Sequence, residues 1–268
     1  MSQAYVHGYD PRENTRLLDQ AETLAELIHA DSVFPAKSRI LEAGCGVGAQ
    51  TLTLAPKNPE SHFTSIDING DSVCEAERKA AAAGIGNVEF LKADIFDAPF
   101  KPESFDHALL CFVLEHLPRP LEALSAVKRL IRPGGGITVI EGDHGSAYFH
   151  PDSDFAKKAI ACQVALQARA GGDANIGRRL YPLLSAAGFE SVRVSPRMVY
   201  ADASRPGLVE GFTKKTFTAM IEGVRNAAVS GGLSAERDFD RGIRDLYRTA
   251  EKDGVFCYTF FKATAVKG

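Results

Sequence analysis

The sequence predicts an α/β fold: a doubly wound, largely parallel sheet with helices on both faces and a helical cap. Three observations predict it. Short apolar runs alternate with helical stretches from about residue 39 to residue 141. A glycine-rich turn joins the first of those runs to the helix after it. A helix-rich stretch, residues 201–253, precedes one long closing strand.

The elements follow in order. Residues 11–30 carry Leu17, Leu18, Ala21, Leu24, Ala25, Leu27 and Ile28 at helical spacing, and Pro11 suits a first turn. Residues 39–42 are short, apolar and followed by glycines, as in a buried strand entering a tight turn. Residues 48–55 form a helix that Pro56 and Pro59 end. Residues 62–68 read as a strand, and 71–83 as a helix with Asp71 or Ser72 as N-cap and Gly84 past its end. Strands at 87–93 and 105–111, a helix at 120–131 and a strand at 137–141 complete the alternation. Helices are then expected at 153–170 and 177–187, and a strand at 192–200. Helical segments broken at Gly223 and Gly231-Gly232 follow, then a strand at 255–266. No clean linker is visible, so the chain reads as one domain, 1–268, with an N-terminal lid and helix at 1–35 and the cap at 201–253.

Composition narrows the function. The 268 residues are 45% hydrophobic and 24% charged, which excludes global disorder and collagen-like repeats. A balance of 31 basic and 34 acidic residues gives no broad polyanion surface, and no basic stripe with interleaved aromatics points to nucleic acid. The five cysteines form no C-x-x-C pair, which argues against a disulfide framework or a cysteine-rich zinc site. Neither a secretory leader nor a membrane-length apolar run is visible, so the expected setting is cytoplasmic, with no membrane partner.

The chemistry concentrates in Leu41-Glu42-Ala43-Gly44-Cys45-Gly46-Val47-Gly48-Ala49. Glycines there let the backbone turn sharply and approach a ligand, and the helix start adds oriented N–H groups. Gly44, Gly46 and Ala49 also satisfy the loose dinucleotide pattern, with Asp67 near the ribose spacing. Acidic residues stand at the ends of the next two strands, Asp67 and Asp94. Capping of the following turn is the plain alternative for each.

Together these residues resemble the class I S-adenosylmethionine-dependent methyltransferases. The resemblance rests on residues 42–48, on Asp67 in Ser65-Ile66-Asp67-Ile68-Asn69 and on Asp94 in Lys92-Ala93-Asp94-Ile95. It continues in Phe105-Asp106, in Cys111-Phe112-Val113-Leu114-Glu115-His116-Leu117 and in Leu130-Ile131-Arg132-Pro133-Gly134-Gly135-Gly136, covering about residues 39–142. It implies a Rossmann-like sheet whose last strand runs antiparallel between the fifth and sixth. It also implies S-adenosylmethionine as cofactor and S-adenosylhomocysteine as product. Asp67 then takes the ribose diol and Asp94 the adenine amino group, with Ile68, Ile95 and Phe96 as apolar neighbours. Gly44, Cys45 and Gly46 lie near the methionine tail, Glu42 adds negative charge, and Cys111, Phe112 and His116 line the cleft. Cys111 reads as a small apolar residue rather than a nucleophile. Tyr9, in Tyr5-Val6-His7-Gly8-Tyr9, is expected in a lid over the donor, against the alternative of a frayed terminus.

The acceptor is less defined. Methyl transfer to a thiol needs little help, whereas a hydroxyl needs a base or a metal. Glu141-Gly142-Asp143-His144-Gly145-Ser146 lies at the end of the fifth strand, and His144 there is the candidate general base, with a local hydrogen bond as its alternative. No metal is expected, because Glu141, Asp143 and His144 crowd one turn. Tyr148, Phe149, Arg197 and Tyr258 are candidate acceptor contacts, beside Phe212, Phe217, Met198 and Met220. Ordinary core packing is the alternative for the aromatic residues and methionines. The expected partner is a small-molecule methyl acceptor, thiol or hydroxyl, on a monomer or homodimer. The start, the 141–146 turn and the C-terminal Phe256-Cys257-Tyr258-Thr259-Phe260-Phe261-Lys262 also resemble a subgroup of thiol S-methyltransferases. Two other readings stay open: an NAD(P)-dependent oxidoreductase, which would lack a Tyr-x-x-x-Lys pair in a suitable position, and a non-catalytic S-adenosylmethionine-binding module.

Overall fold

A computed structural model describes residues 11–268, with side chains from residue 16 onward. The predicted lid residues, Tyr9 among them, lie outside the described residues. Helix α1 (Pro11–His29) leads into β1 (Arg39–Ala43), α2 (Ala49–Leu54), β2 (His62–Asp67), α3 (Gly70–Ala82) and β3 (Val88–Lys92). Strand β4 (Phe105–Cys111), a 3₁₀ turn (Leu114–His116), α4 (Pro120–Leu130) and β5 (Ile131–His150) follow. Next come α5 (Asp154–Arg169), a second 3₁₀ turn (Ile176–Arg179), α6 (Leu180–Ala186) and β6 (Glu190–Ala201). The cap runs through α7 (Pro206–Leu208), a π-helix (Val209–Thr218), α8 (Ala219–Gly223), α9 (Arg225–Ser230) and α10 (Glu236–Arg248) before β7 (Val255–Val266).

The seven strands form one sheet in the order β3-β2-β1-β4-β5-β7-β6. The first five strands pair in parallel, and β7 runs antiparallel to both β5 and β6. This is the placement that the family resemblance implied. Both faces of the central strands are covered. In β1, Ile40 packs with Phe34 and Phe63 on one side, while Leu41 and Ala43 join the core under α4 and α6 on the other. Burial on both sides explains why β1 and β4 read as nearly continuous apolar runs. A second core lies between the sheet, α1, α5 and the cap; Leu24, Ile28, Phe212, Phe217, Phe239 and Phe256 belong to it.

Two local expectations are corrected. The cap of α3 is Asn69, whose Oδ1 accepts the Asp71 and Ser72 N–H groups, rather than Asp71 or Ser72 themselves. Asn69 is extended and lies outside the helix, as an N-cap must, whereas the other two are already helical. The fifth strand does not end near Glu141. It breaks register between Asp143 and Tyr148, bulges, and pairs with β7 again through Tyr148, Phe149 and His150. Glycine and polar residues at 142–146 have the composition of a turn, but they form a bulge because the long β7 supplies further pairing partners.

Candidate active site

The glycine loop is built against β2. Gly44 and Cys45 donate their N–H groups to Ile66 O at 2.8 and 2.9 Å, and Gly46 donates to Asp67 Oδ2 at 2.8 Å. Gly44 has φ of 82°, and a Cβ on it would stand 2.5 Å from Val113 Cγ2. Gly46 has φ of 51° and nothing within 4 Å of where its Cβ would be, so the loop opens onto free space there. Asp67 also takes the Asn69 N–H at 2.8 Å on Oδ1. Burial pushes the Asp67 carboxyl up, against the backbone N–H groups that favour its charge.

The flanks of this cleft are apolar and open. Ile68 is 59% exposed directly after Asp67. Asp94 is exposed, with Oδ1 taking the Phe96 N–H at 2.9 Å, and Ile95 and Phe96 beside it are half-buried. Glu42 lies behind the loop, where it accepts hydrogen bonds from the Thr51 and Ser65 hydroxyls. Burial raises its carboxyl to about 7. Cys45 and Cys111 are buried, and burial pushes both thiols well up, so neither is poised as a thiolate.

A cavity adjoins this cleft across the exit of β4. Val113 packs on Gly44, while Phe112, Glu115 and His116 face the cavity. Phe112 holds a left-handed backbone, φ of 59°, which a phenylalanine rarely adopts. Its N–H donates to Ile140 O at 2.9 Å and its ring lies 5.3 Å from that of Phe260. The cavity takes in about 540 Å³, its open mouth included. The π-helix and α8 wall it with Phe212, Thr216, Phe217 and Met220, and α1 covers it with Arg16, Leu17 and Gln20. From the sheet come Gly142, His144, Tyr258 and Phe260.

His144 sits in the β5 bulge, 5% exposed. Its Nδ1 lies 3.1 Å from Tyr258 Oη. Its Nε2 has no hydrogen-bond partner among the described residues. Burial lowers the His144 pKa, with Glu115 and Asp143 pulling the other way, so the ring is neutral near pH 7. The bulge is fixed from outside: Arg178 grips Asp143 with two hydrogen bonds, of 2.7 and 2.6 Å. Gly142 is required beneath it, because a Cβ there would collide with the Tyr258 hydroxyl. Glu141 fixes the 3₁₀ turn after β4 by accepting the Val113 and Leu114 N–H groups at 3.0 and 2.7 Å.

The structure thus gathers Gly44, Cys45, Gly46, Asp67 and Ile68 around the loop, with Asp94 and Ile95 at the end of β3. Phe112, His116, His144 and Tyr258 line the cavity. Three of the four residues expected to contact an acceptor lie away from it. Tyr148 is 57% exposed, with its hydroxyl 3.4 Å from Met198 Sδ. Phe149 stacks on Phe256 at 6.1 Å. Arg197 is ion-paired to Asp31. The bulge explains the first two, since the residues beyond it return to ordinary strand pairing. Sequence reasoning missed Arg16, Gln20, Glu115, Thr216 and Phe260. For Phe260 a signal existed, because it shares the strand face of Tyr258. No cluster suited to holding a metal ion occurs among the described residues, and no helix among them is long and apolar enough to cross a membrane.

A glycine loop after β1, an acidic residue at the end of β2 and β7 inserted antiparallel beside β5 define a methyltransferase-type α/β protein. The comparisons agree. Residues 35–188 match the family described as "Methyltransferase domain", and the chain belongs to that family. It is 33% identical over 135 residues to demethylmenaquinone methyltransferase of Clavibacter sepedonicus, covering 50% of this chain and 53% of that one. Among solved structures it superposes on the [4+2]-cyclase SpnF with a TM-score of 0.57 at 21% identity, over 92% of this chain and 80% of the other. Phosphoethanolamine N-methyltransferase 2 of Haemonchus contortus, solved with phosphomonomethylethanolamine and S-adenosylhomocysteine, gives 0.57 at 15% identity, over 92% and 52%. The chain spans 24%, 64% and 44% of the lengths of three curated relatives it matches.

Proposed function

We propose that this protein binds S-adenosylmethionine in the glycine-loop cleft and methylates a small-molecule acceptor, a hydroxyl or thiol, held in the adjoining cavity. The observation that carries this reading is the juxtaposition of the two spaces across residues 112–116, with His144 in the wall of the second and its buried Nε2 without a hydrogen-bond partner among the described residues. The residues fit the donor. The open backbone at Gly46 gives its amino-acid tail access, and the Asp67 carboxylate suits a ribose diol. Exposed Ile68 offers an apolar face to adenine, and the second oxygen of Asp94 suits its amino group. S-adenosylmethionine, when bound, supplies an electrophilic methyl carbon on a sulfonium sulfur. The chain's part is to align the acceptor and exclude water, for which the walls from α1 and the π-helix are placed. The inserted β7 also departs from the 3-2-1-4-5-6 order of dinucleotide-binding sheets, which weighs against an oxidoreductase.

Calorimetric titration with S-adenosylmethionine and S-adenosylhomocysteine tests the donor. Both are expected to bind, and Asp67→Ala to weaken them by about 10- to 100-fold, as for loss of hydrogen bonds to a charged group. Absence of binding to the wild-type protein would refute the reading.

A further inference from the structure

We propose that the acceptor is an uncharged aromatic ring bearing a phenolic hydroxyl, and that this hydroxyl docks on His144 Nε2. The inference rests on the donor reading above and narrows its acceptor.

The cavity wall is mainly aromatic. The Tyr258 ring lies 4.8 Å from Phe260, 5.3 Å from Phe217 and 5.6 Å from Phe212, so the rings form a continuous lining that favours a flat apolar guest. Its charges do not select an ion. Arg16 and Glu115 face the same space with opposite sign, and the Arg16 guanidinium already donates to Gln20 Oε1 at 2.8 Å. Most other polar groups on the wall are committed: the Thr216 hydroxyl donates to Gly211 O, and Gln167 donates to the Glu115 carboxylate and carbonyl. His144 Nε2 is the buried, unpartnered polar atom of this wall. A buried ring nitrogen without a partner costs free energy that a ligand hydroxyl would recover.

The chemistry of that nitrogen selects the acceptor. Tyr258 Oη lies within hydrogen-bond reach of Nδ1, and a hydroxyl rotates to accept or donate, so it can accept a hydrogen bond from Nδ1–H and leave Nε2 as the unprotonated nitrogen. A neutral imidazole is a useful base toward a proton of pKa about 10, the phenol range. A thiol near about 8.5 ionises with little help, and carboxylic acids are already ionised at neutral pH. In the reaction the phenolic O–H bond breaks and its proton moves to Nε2. The oxygen's electron pair bonds the methyl carbon, while the carbon–sulfur bond of the sulfonium donor breaks with its pair left on sulfur. Tyr258 is a positioning residue, holding Nδ1 as the ring becomes an imidazolium.

The test uses the full chain with S-adenosylhomocysteine for binding and S-adenosylmethionine for turnover. The probes are phenol, 1-naphthol, thiophenol and toluene. The His144 Nε2 signal in the ¹⁵N spectrum, assigned by its loss in His144→Gln, is expected to shift with phenol or 1-naphthol and to stay fixed with toluene. His144→Gln should lower phenol methylation by about 100-fold or more, leave thiophenol within about threefold, and leave S-adenosylmethionine affinity unchanged. Tyr258→Phe should retain donor binding while changing the Nδ1 signal. Methylation of thiophenol but of neither phenol would overturn the proposal, as would an unshifted Nε2 signal with both phenols. Failure of the wild-type chain to bind the donor would instead refute the underlying reading, which the calorimetry identifies separately.

Discussion

At the scale of single residues, two glycines of the same loop do different work. Gly44 must be glycine for two reasons, its left-handed backbone and the Val113 side chain 2.5 Å from where a Cβ would stand. Gly46 has only the backbone reason, because its Cβ would enter open cleft. Gly44→Ala should therefore cost about 2–4 kcal/mol, combining left-handed strain with overpacking. Gly46→Ala should cost about 1 kcal/mol in stability, from the left-handed backbone alone. Urea unfolding of both variants checks the order, and equal losses would show that Val113 gives way freely. This loop was legible in the sequence because strand, glycines and helix start lie in one contiguous stretch. His144 was legible as a candidate from its place after a strand. Its pairing with Tyr258, 114 positions away, was not, since nothing local links the two.

At the scale of elements, α1 is anchored to the sheet at its C-terminal end. Lys262 of β7 is 3% exposed, and its Nζ donates to Ile28 O, Asp31 Oδ1 and Ser32 Oγ at 3.1, 2.6 and 2.7 Å. Burial opposes the charge on Asp31, but the hydrogen bonds from Lys262 and Arg197 prevail and hold its carboxyl at about 2. The pair is asymmetric, because the Asp31 side chain is 54% exposed. Asp31→Ala leaves an ammonium buried without its carboxylate and should cost about 3 kcal/mol. Lys262→Met leaves a carboxylate that water and Arg197 still serve, and should cost about 1 kcal/mol. Denaturant midpoints check this order; the reverse order would mean that the lysine is not held as a cation. The buried lysine could be anticipated only in part. It falls on the Tyr258–Phe260 face of the alternating last strand, but alternation does not say what lies opposite. The π-helix was hidden for a related reason. Phe212 and Phe217 are five positions apart, outside the 3.6-residue pattern, yet their rings lie 6.2 Å apart, and the Thr216 hydroxyl likewise reaches Gly211 O, five back. The continuation of β5 was obscured because a bulge and a turn share glycine and polar residues.

At the scale of the whole molecule, strand order was not legible from periodicity, which identifies strands but not neighbours; only the family resemblance supplied it. The order matters because β7, entering between β5 and β6, carries Tyr258 to the cavity and Lys262 to α1. Two histidines of this framework, His29 buried and His107 half-buried, make stability depend on pH. His29, at the end of α1, hydrogen-bonds Gln50 Oε1 and Ser32 Oγ, and burial lowers it to about 4. His107, in β4, hydrogen-bonds the Thr138 hydroxyl and is lowered to about 4 by burial, with Lys262 adding to it. Between their unfolded value of 6.5 and about 4, the unfolded chain binds protons that the native state does not. Native stability should therefore fall as pH drops through this window, by on the order of 2 kcal/mol per histidine at pH 5. Glu42, raised to about 7 by burial, acts in the opposite sense: its contribution is complete below 4.5 and is lost as pH rises toward 7. The wild-type profile alone therefore mixes the two, and differences between proteins must be compared. Urea unfolding at pH 7.5 and pH 5 should show His107→Gln narrowing its deficit to wild type on acidification, whereas Glu42→Gln should widen its own. A His107→Gln deficit that stays constant across that range would mean the half-buried imidazole accepts a proton in the folded state as readily as in the unfolded one.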